Sequence, residues 1–213
     1  FFSSELVSRY FKGSFLYMTS TNKTLADALL NFSNAFIQQH NERFGHFPII
    51  EADDQWPSPC EQDRHDDNHN YWQPAVVYNE QENNASEAKL SFANVESALE
   101  LELHQDVKTY FTTIFSSDIE AQCNEGKLSL LFAWNSEDFD RLQENIIGHI
   151  LMKQRLKQAE TIFFAVTDEE DMIISIDNTT GEVWVEQVGC KPHKKLSNSL
   201  AEFITQLTPI IKK

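Results

Sequence analysis

The sequence predicts an α+β fold, a single domain whose mainly antiparallel sheet is packed by helices. Three observations predict it. Strand-like segments come in neighbouring pairs, not singly between helices, which favours hairpins over parallel crossover units. Four stretches space their apolar residues as helices do. Apolar residues make up 41% of 213, with sixteen Phe, enough for a core without disulfide or metal staples.

The first helix is predicted in "TNKTLADALLNFSNAFIQQHNERFG". Leu25, Ala28, Leu29, Phe32, Phe36 and Ile37 share a face, Thr24 with Asp27 makes a capping signal, and Gly45 marks the stop. Residues 46–91 are rich in Pro, Asn, Asp, Glu and Gln and read mostly as loop, with short extended pieces at "YWQPAVVY". A second helical region follows in "NVESALELELHQDVKTYFTTIFS", where Val95, Leu99, Leu103, Val107 and Phe111 repeat every four residues. "IEAQC" and "KLSLLFAW" flank the turn "NEG" and read as paired strands.

"SEDFDRLQENIIGHILMKQRLK" is the clearest helix. Ser136 is its predicted N-cap, acids fill its first turn, and Lys153, Arg155 and Lys157 fill its last, complementing the helix dipole at both ends. "TIFFAV" and "MIISID" read as strands, and "NTTGE" turns the second into "EVWVEQV". "SNSLAEFITQL" closes the chain as an amphipathic helix capped by Ser197 or Asn198. With no repeat and no long linker, residues 18–213 are expected to form the one domain. The 46–91 stretch is then a long irregular excursion of it, the kind of segment that often carries function.

Residues 1–17 read differently. "FFSSELVSRYFKGSFLYM" is apolar in places, but Glu5, Arg9 and Lys12 interrupt it and no small-residue cleavage site follows, so it makes a poor signal peptide. It ends at Met18, a candidate true start, and the preceding residues are expected to be a non-native or disordered extension.

The net charge of −16 argues against a nucleic-acid partner, since phosphates are bound by Lys and Arg. It also argues against unaided adsorption to an anionic membrane. Cys60, Cys123 and Cys190 are odd in number and far apart, which points to a reducing compartment. No window approaches a membrane-spanning apolar run.

"CEQDRHDDNHNYW", residues 60–72, resembles a metal cluster. His65 and His69 stand four apart, but the intervening Asp and Asn disfavour a helix that would bring them together. A calcium loop would need alternating carboxylates, a turn Gly and a later bidentate Glu, and that pattern is missing. A solvated acidic loop outweighs a metal-dependent hydrolase built on these histidines. Nucleophile motifs are equally lacking. Cys60 has no neighbouring cation to activate it and reads as a buried small residue; His149 reads as a helix-face or core residue, not a base. The chain is therefore expected to be no enzyme, with no catalytic residue, metal or cofactor.

Acidity is the informative feature. Residues 51–106 hold fourteen Asp and Glu against Arg64 and Lys89, about −12 of the total −16. A field of one sign concentrated in this way steers a partner of the other sign and makes binding salt-sensitive. The candidate partner-binding residues are Asp53, Asp54, Glu61, Asp63, Asp66 and Asp67, with Glu96, Glu100 and Glu102. Trp56, Tyr71 and Trp72, with Tyr78, supply aromatic support among the acids.

"WPSPC" (56–60), "YWQP" (71–74), "RLQENIIGHILMKQRLK" (141–157), "TIFFAV" (161–166), "GEVWVE" (181–186) and "SNSLAEFITQL" (197–207) together resemble the Syd family of SecY-interacting proteins. The resemblance runs from about Lys23 to Ile211. It implies a fold similar to the SMI1/KNR4-like superfamily, Syd type. It also implies a non-enzymatic peripheral protein of the cell inner membrane, on its cytoplasmic side. Such a protein associates with SecY of the SecYEG channel through a concave negative face and takes part in quality control of protein translocation. Cytoplasmic loops of membrane proteins carry excess Lys and Arg, so an acidic face suits them. The alternative expectation is an immunity-type protein that neutralises a basic toxin through the same face. The sequence carries no signal for an oligomeric state.

Overall fold

The structure is a computed structural model and describes residues 24–77 and 90–212. The expectations for residues 1–17, for the start of the domain at Met18 and for Tyr78 fall outside the described residues.

The Thr24 hydroxyl accepts from the Asp27 amide at 3.2 Å while Asp27 reaches back to the Thr24 amide, so the predicted capping box starts helix α1, Leu25–Phe44. Gly45 ends it in the left-handed region at φ 78°, a conformation open to glycine at little cost. The apolar face buries Leu25, Leu29, Phe32 and Phe36.

The 46–91 stretch holds more order than its composition predicts. Strands β1 (Ile49–Glu51), β2 (Glu61–Arg64) and β3 (His69–Trp72) form an antiparallel sheet in the order β1-β3-β2. Strand β4 (Ala75–Val76) pairs instead with β5 (Ile114–Phe115). Polar strands of three or four residues, with few apolar positions to alternate, leave little periodic trace in sequence.

The second helical region is two helices, not one. α2 (Ala93–Leu99) stops at Glu100, which adopts φ 49° and ψ 40°, and α3 (Gln105–Thr113) starts after a five-residue elbow. A strict four-residue repeat drifts by about 40° per step on a helix of 3.6 residues per turn. Over one straight helix Val95 and Phe111 would face different ways; the elbow lets both be buried.

Strands β6 (Ile119–Cys123) and β7 (Gly126–Leu130) form the expected hairpin. Helix α4 (Ser136–Arg155) follows, capped by Asn135 and not Ser136. The Asn135 Oδ1 accepts from the Asp138 amide at 2.9 Å, while its own amide group donates to Pro57 O at 2.8 Å. Strands β8 (Thr161–Thr167), β9 (Met172–Asp177) and β10 (Val183–Gln187) match the three expected. Strand β11 (Lys194–Ser197) has no counterpart among the expected strands. The last helix, α5 (Leu200–Gln206), is capped by Ser199, not Ser197 or Asn198, and is followed by the short β12 (Thr208–Pro209).

The main sheet has seven antiparallel strands in the order β11-β10-β9-β8-β7-β6-β12. It curls enough for Lys194 on β11 to pair with Glu125 in the β6–β7 turn, although three strands lie between β11 and β7. Helices cover both faces. Phe163 turns to His149 on α4, and its neighbour Phe164 turns to Tyr110 on α3 and Phe203 on α5. The predicted α+β class, a mainly antiparallel sheet packed by helices, is the observed one.

Candidate functional site

An acidic cleft of about 300 Å³ opens where the small sheet meets the start of α4. Its first wall is "WPSPC". Pro57 O accepts from Asn135, the Ser58 hydroxyl donates to Trp134 O, and the Cys60 amide donates to the Ser58 hydroxyl at 3.0 Å. Two distant segments, 56–60 and 134–138, are thereby bolted together. Cys60 is fully buried, and burial pushes its thiol up, more than the Ser58 and Ala75 hydrogen bonds draw it down. That is the chemistry of a packing residue, not a nucleophile.

Five acidic residues line the cleft: Glu51, Asp53, Glu61, Asp118 and Asp138. They come from β1 and the loop after it, from β2, from the loop before β6, and from the first turn of α4. Trp56, Phe132 and Trp134 supply apolar wall, and no Lys or Arg is among the described residues lining it. Trp134 is held from behind by Trp72, with ring centres 6.0 Å apart, and Trp72 in turn packs on Phe36 of α1 at 5.8 Å. The Arg141 guanidinium lies 4.1 Å from the centre of the Trp56 ring, so that aromatic already accepts a cation.

The acids differ in how freely they can act. Asp53 accepts from the Gln55 amide at 2.9 Å in a tight turn and is exposed. Glu61 is half-buried and accepts from the Ser58 amide at 3.0 Å and from the Asn70 side chain at 2.8 Å. Asp138 accepts from the Trp134 amide at 2.9 Å. Asp118 keeps an edge in solvent, yet the protein around its carboxyl pushes its pKa up; the Phe132 backbone opposes this and the nearby Asp138 charge adds to it.

Of the residues singled out from sequence, Asp53, Glu61 and Trp56 line the cleft. Asp54, Asp63 and Asp67 are exposed nearby in sequence but do not line it. Asp66 caps the β2–β3 turn, accepting from the Asn68 amide at 2.8 Å and from His69 Nδ1 at 2.8 Å; the Asn68 amide first, then His69, hold its carboxyl below the usual range. Tyr71 is half-buried with its hydroxyl 2.7 Å from His65 Nδ1, and Trp72 is core at 5% exposure.

Glu96, Glu100 and Glu102 belong to the α2–α3 elbow. Glu96 accepts from the Leu103 amide at 2.9 Å and pairs with Lys108 at 3.0 Å. Burial pushes Glu96 up, but the Leu103 amide and Lys108 together hold it below its ordinary value. Glu100 terminates α2, and Glu102 projects into solvent.

Sequence reasoning missed Glu51, Asp118, Asp138 and Trp134. Glu51 lay inside the acidic stretch but in a segment read as loop. Asp138 was read only as a first-turn acid of its helix, and nothing local distinguishes Asp118. His65 and His69 turn their Nδ1 atoms to Tyr71 and Asp66, and no group of three or more His, Cys, Asp or Glu is placed to hold a metal among the described residues.

A second polar cluster lies under α4. Lys153, read as one of the basic residues of the last helical turn, is fully buried; its Nζ donates to Glu186 Oε2 at 2.8 Å and to Cys190 O at 3.0 Å. Thr161 donates to the other Glu186 oxygen at 2.7 Å, and His149 Nε2 lies 3.2 Å from the Thr161 hydroxyl. Burial pushes Glu186 up, but His149, Lys153 and Thr161 outweigh it and hold the carboxyl low. Sealed in this way, the cluster serves structure.

Residues 26–209 match the family described as Syd protein (SUKH-2). The chain belongs to the Syd family. It is 70% identical to Protein Syd of Colwellia psychrerythraea over 191 residues, 90% of this chain and 96% of that one. It is 44% identical to Protein Syd of Pseudoalteromonas atlantica over 196 residues, 90% of this chain and 98% of the relative. Protein Syd of Pectobacterium atrosepticum is 36% identical over 186 residues, 87% and 97% of the two chains. The described residues include no helix long and apolar enough to cross a membrane. Several stretches that carried the resemblance in sequence shape the Syd-family structure: "WPSPC" and "YWQP" build and back the cleft, and "QENIIGH" supplies the buried His149.

Proposed function

We propose that this chain is a non-enzymatic docking protein for SecY of the protein-translocation channel. It acts peripherally at the cytoplasmic face of the inner membrane and takes part in checking channel assembly. One observation carries the reading: five acidic residues from separate segments line one aromatic cleft with no Lys or Arg in its described lining. Such a cleft focuses negative potential and draws in Lys and Arg. Cytosolic loops of a channel protein offer those residues, whereas anionic lipid repels the same surface. Membership of the Syd family supports the choice of SecY among basic partners.

Asp53 and Glu61 act at close range within the cleft, together with Glu51, Asp118 and Asp138. Asp54, Asp63, Asp66 and Asp67 extend the field around it, and Trp56, stacked by Arg141, supplies apolar wall. Each exposed acid contributes little by itself, because solvent screens it. Together they set the association rate and its salt dependence.

The test is recovery of SecYEG from detergent-solubilised membranes. The four exposed acids Glu51, Asp53, Asp54 and Asp118 are reversed to Lys. The expected result is at least a tenfold loss of channel binding at low salt and a flattened salt dependence. Unchanged binding by the reversed chain would sink the reading. Recovery of a soluble basic protein in place of SecY would favour the immunity-type alternative.

A further inference from the structure

Among the described residues, the small sheet leaves the β1 edge open beside the cleft. Strand β1 pairs only with β3 among the described residues, and it is one of the two outer strands of the order β1-β3-β2. The register pairs Ile49 with Tyr71, Ile50 with Asn70 and Glu51 with His69. The Trp72 amide donates to Pro48 O at 2.9 Å and the Ala52 amide to Asn68 O at 2.8 Å. In an antiparallel ladder the bonded and non-bonded pairs alternate. Pro48, Ile50 and Ala52 therefore turn their backbone groups to β3, while Ile49 and Glu51 turn theirs away. Among the described residues, these outward N–H and C=O groups have no backbone or side-chain partner. Ile49 is also one of the few large apolar residues left exposed, at 38%.

Two of the three β1 residues, Ile50 and Glu51, line the cleft. Ile50, Glu51 and Asp53 form one side, and Ser116, Ser117 and Asp118 are part of the remaining lining. An open edge with two outward donors and two outward acceptors is a template for another strand. Natural edges are commonly blunted by shortness, charge, Lys or Pro; β1 is short and ends in Glu51, but it carries no Lys or Pro within Ile49–Glu51, and Glu51 repels no basic segment. The outer strand of the main sheet, β11, carries Lys194 and Lys195, and the opposite edge strand, β12, ends in Pro209.

We propose that the partner docks by strand addition: an extended, basic segment of a protein pairs with the free edge of β1 and lays Lys or Arg side chains into the acidic cleft. The inference rests on the reading of a basic protein partner at this face and adds the backbone geometry of its capture. Main-chain hydrogen bonds to Ile49 and Glu51 set the direction and register of the segment. The carboxylates select its charge, and the period of two in a strand calls for basic residues at alternate positions. A basic helix would meet the same field but leave the edge unpaired.

The probe is a fluorescein-labelled decapeptide of alternating Lys and Thr, compared with the same peptide N-methylated at every backbone nitrogen. The two share charge and side chains, but the second lacks the donors a ladder needs. The full chain should bind the first at low salt and the second at least tenfold more weakly. On the protein side, Ile49→Pro removes an outward N–H without touching the β1–β3 bonds. It should weaken the unmodified peptide at least fivefold with its salt dependence kept, whereas Asp118→Asn should reduce the salt dependence. Equal binding of the two peptides, or no binding of the unmodified one, overturns strand addition. Should Ile49→Pro not fold, the peptide pair on the unaltered chain still decides. Solubilised SecYEG separates the two ideas: recovery of the channel with indistinguishable peptides overturns strand addition alone, while failure to recover it overturns the docking reading.

Discussion

Lys153 Nζ and Glu186 Oε2 lie 2.8 Å apart with side-chain exposures of 0% and 1%, one on α4 and the other on β10. Removing one partner of such a pair strands the other charge without water, at a cost of roughly 3–5 kcal/mol. Glu186→Gln should therefore destabilise the fold by about that much at pH 7, read by denaturant unfolding. The Glu186 carboxyl is held below its ordinary value, so its contribution is present above the unfolded pKa and is lost as pH falls through the folded one. The gap between the original chain and Glu186→Gln should narrow on acidification below about pH 4. A gap that stays constant with pH would show that Glu186 does not act through its charge.

Asp118 has the opposite sign. Its pKa is raised, by burial of the carboxyl first, so its contribution favours folding only at low pH and turns against it as pH rises through the folded value. Asp118→Asn should raise the melting temperature at pH 7, and the gain should fade below about pH 4. The same substitution should weaken partner binding, the usual relation between stability and a site kept unneutralised for function. Thermal melts at the two pH values check the first part and channel recovery the second.

Gly181 sits at φ 73° in the β9–β10 turn, under the ring of His104. A Cβ there would come within 2.5 Å of His104 Cε1. The His104 ring caps α3 through the Asp106 amide at 3.1 Å, and its backbone amide donates to Asn178 Oδ1 at 2.8 Å. Gly181→Ala should thus combine left-handed strain with displacement of the elbow and cost roughly 1–3 kcal/mol, measured by denaturant unfolding. His104→Ala in the same background should recover part of the loss, because it removes the clash. A double variant no better than Gly181→Ala would point to backbone strain alone.

The legible parts of the structure were those with local signatures. The capping box at Thr24, the stop at Gly45, the paired strands around Asn124 to Gly126 and the three strands from Thr161 to Gln187 all follow from patterns within a few residues. The errors were also local. Ser136 and Asn135 are both good caps, and only the reach of Asn135 to Pro57 favours the second. The four-residue repeat from Val95 to Phe111 looked like one helix because the elbow at Glu100 leaves the spacing intact.

By itself the sequence determined the α+β class, the concentration of negative charge in residues 51–106 and, through ordered motifs, the resemblance to the Syd family. These are properties of composition and short-range pattern. Tertiary structure alone decided which acids converge. Glu51, Asp53, Glu61, Asp118 and Asp138 span almost ninety positions, and the bonds of Ser58 and Asn135 bring their segments to one cleft. It also sorted identical residue types into different roles: Lys153 buried against Glu186, Glu96 tying an elbow, Glu102 left in water. A carboxylate's role depends on the charges, donors and solvent around it, and in a folded chain those come mostly from residues distant in sequence.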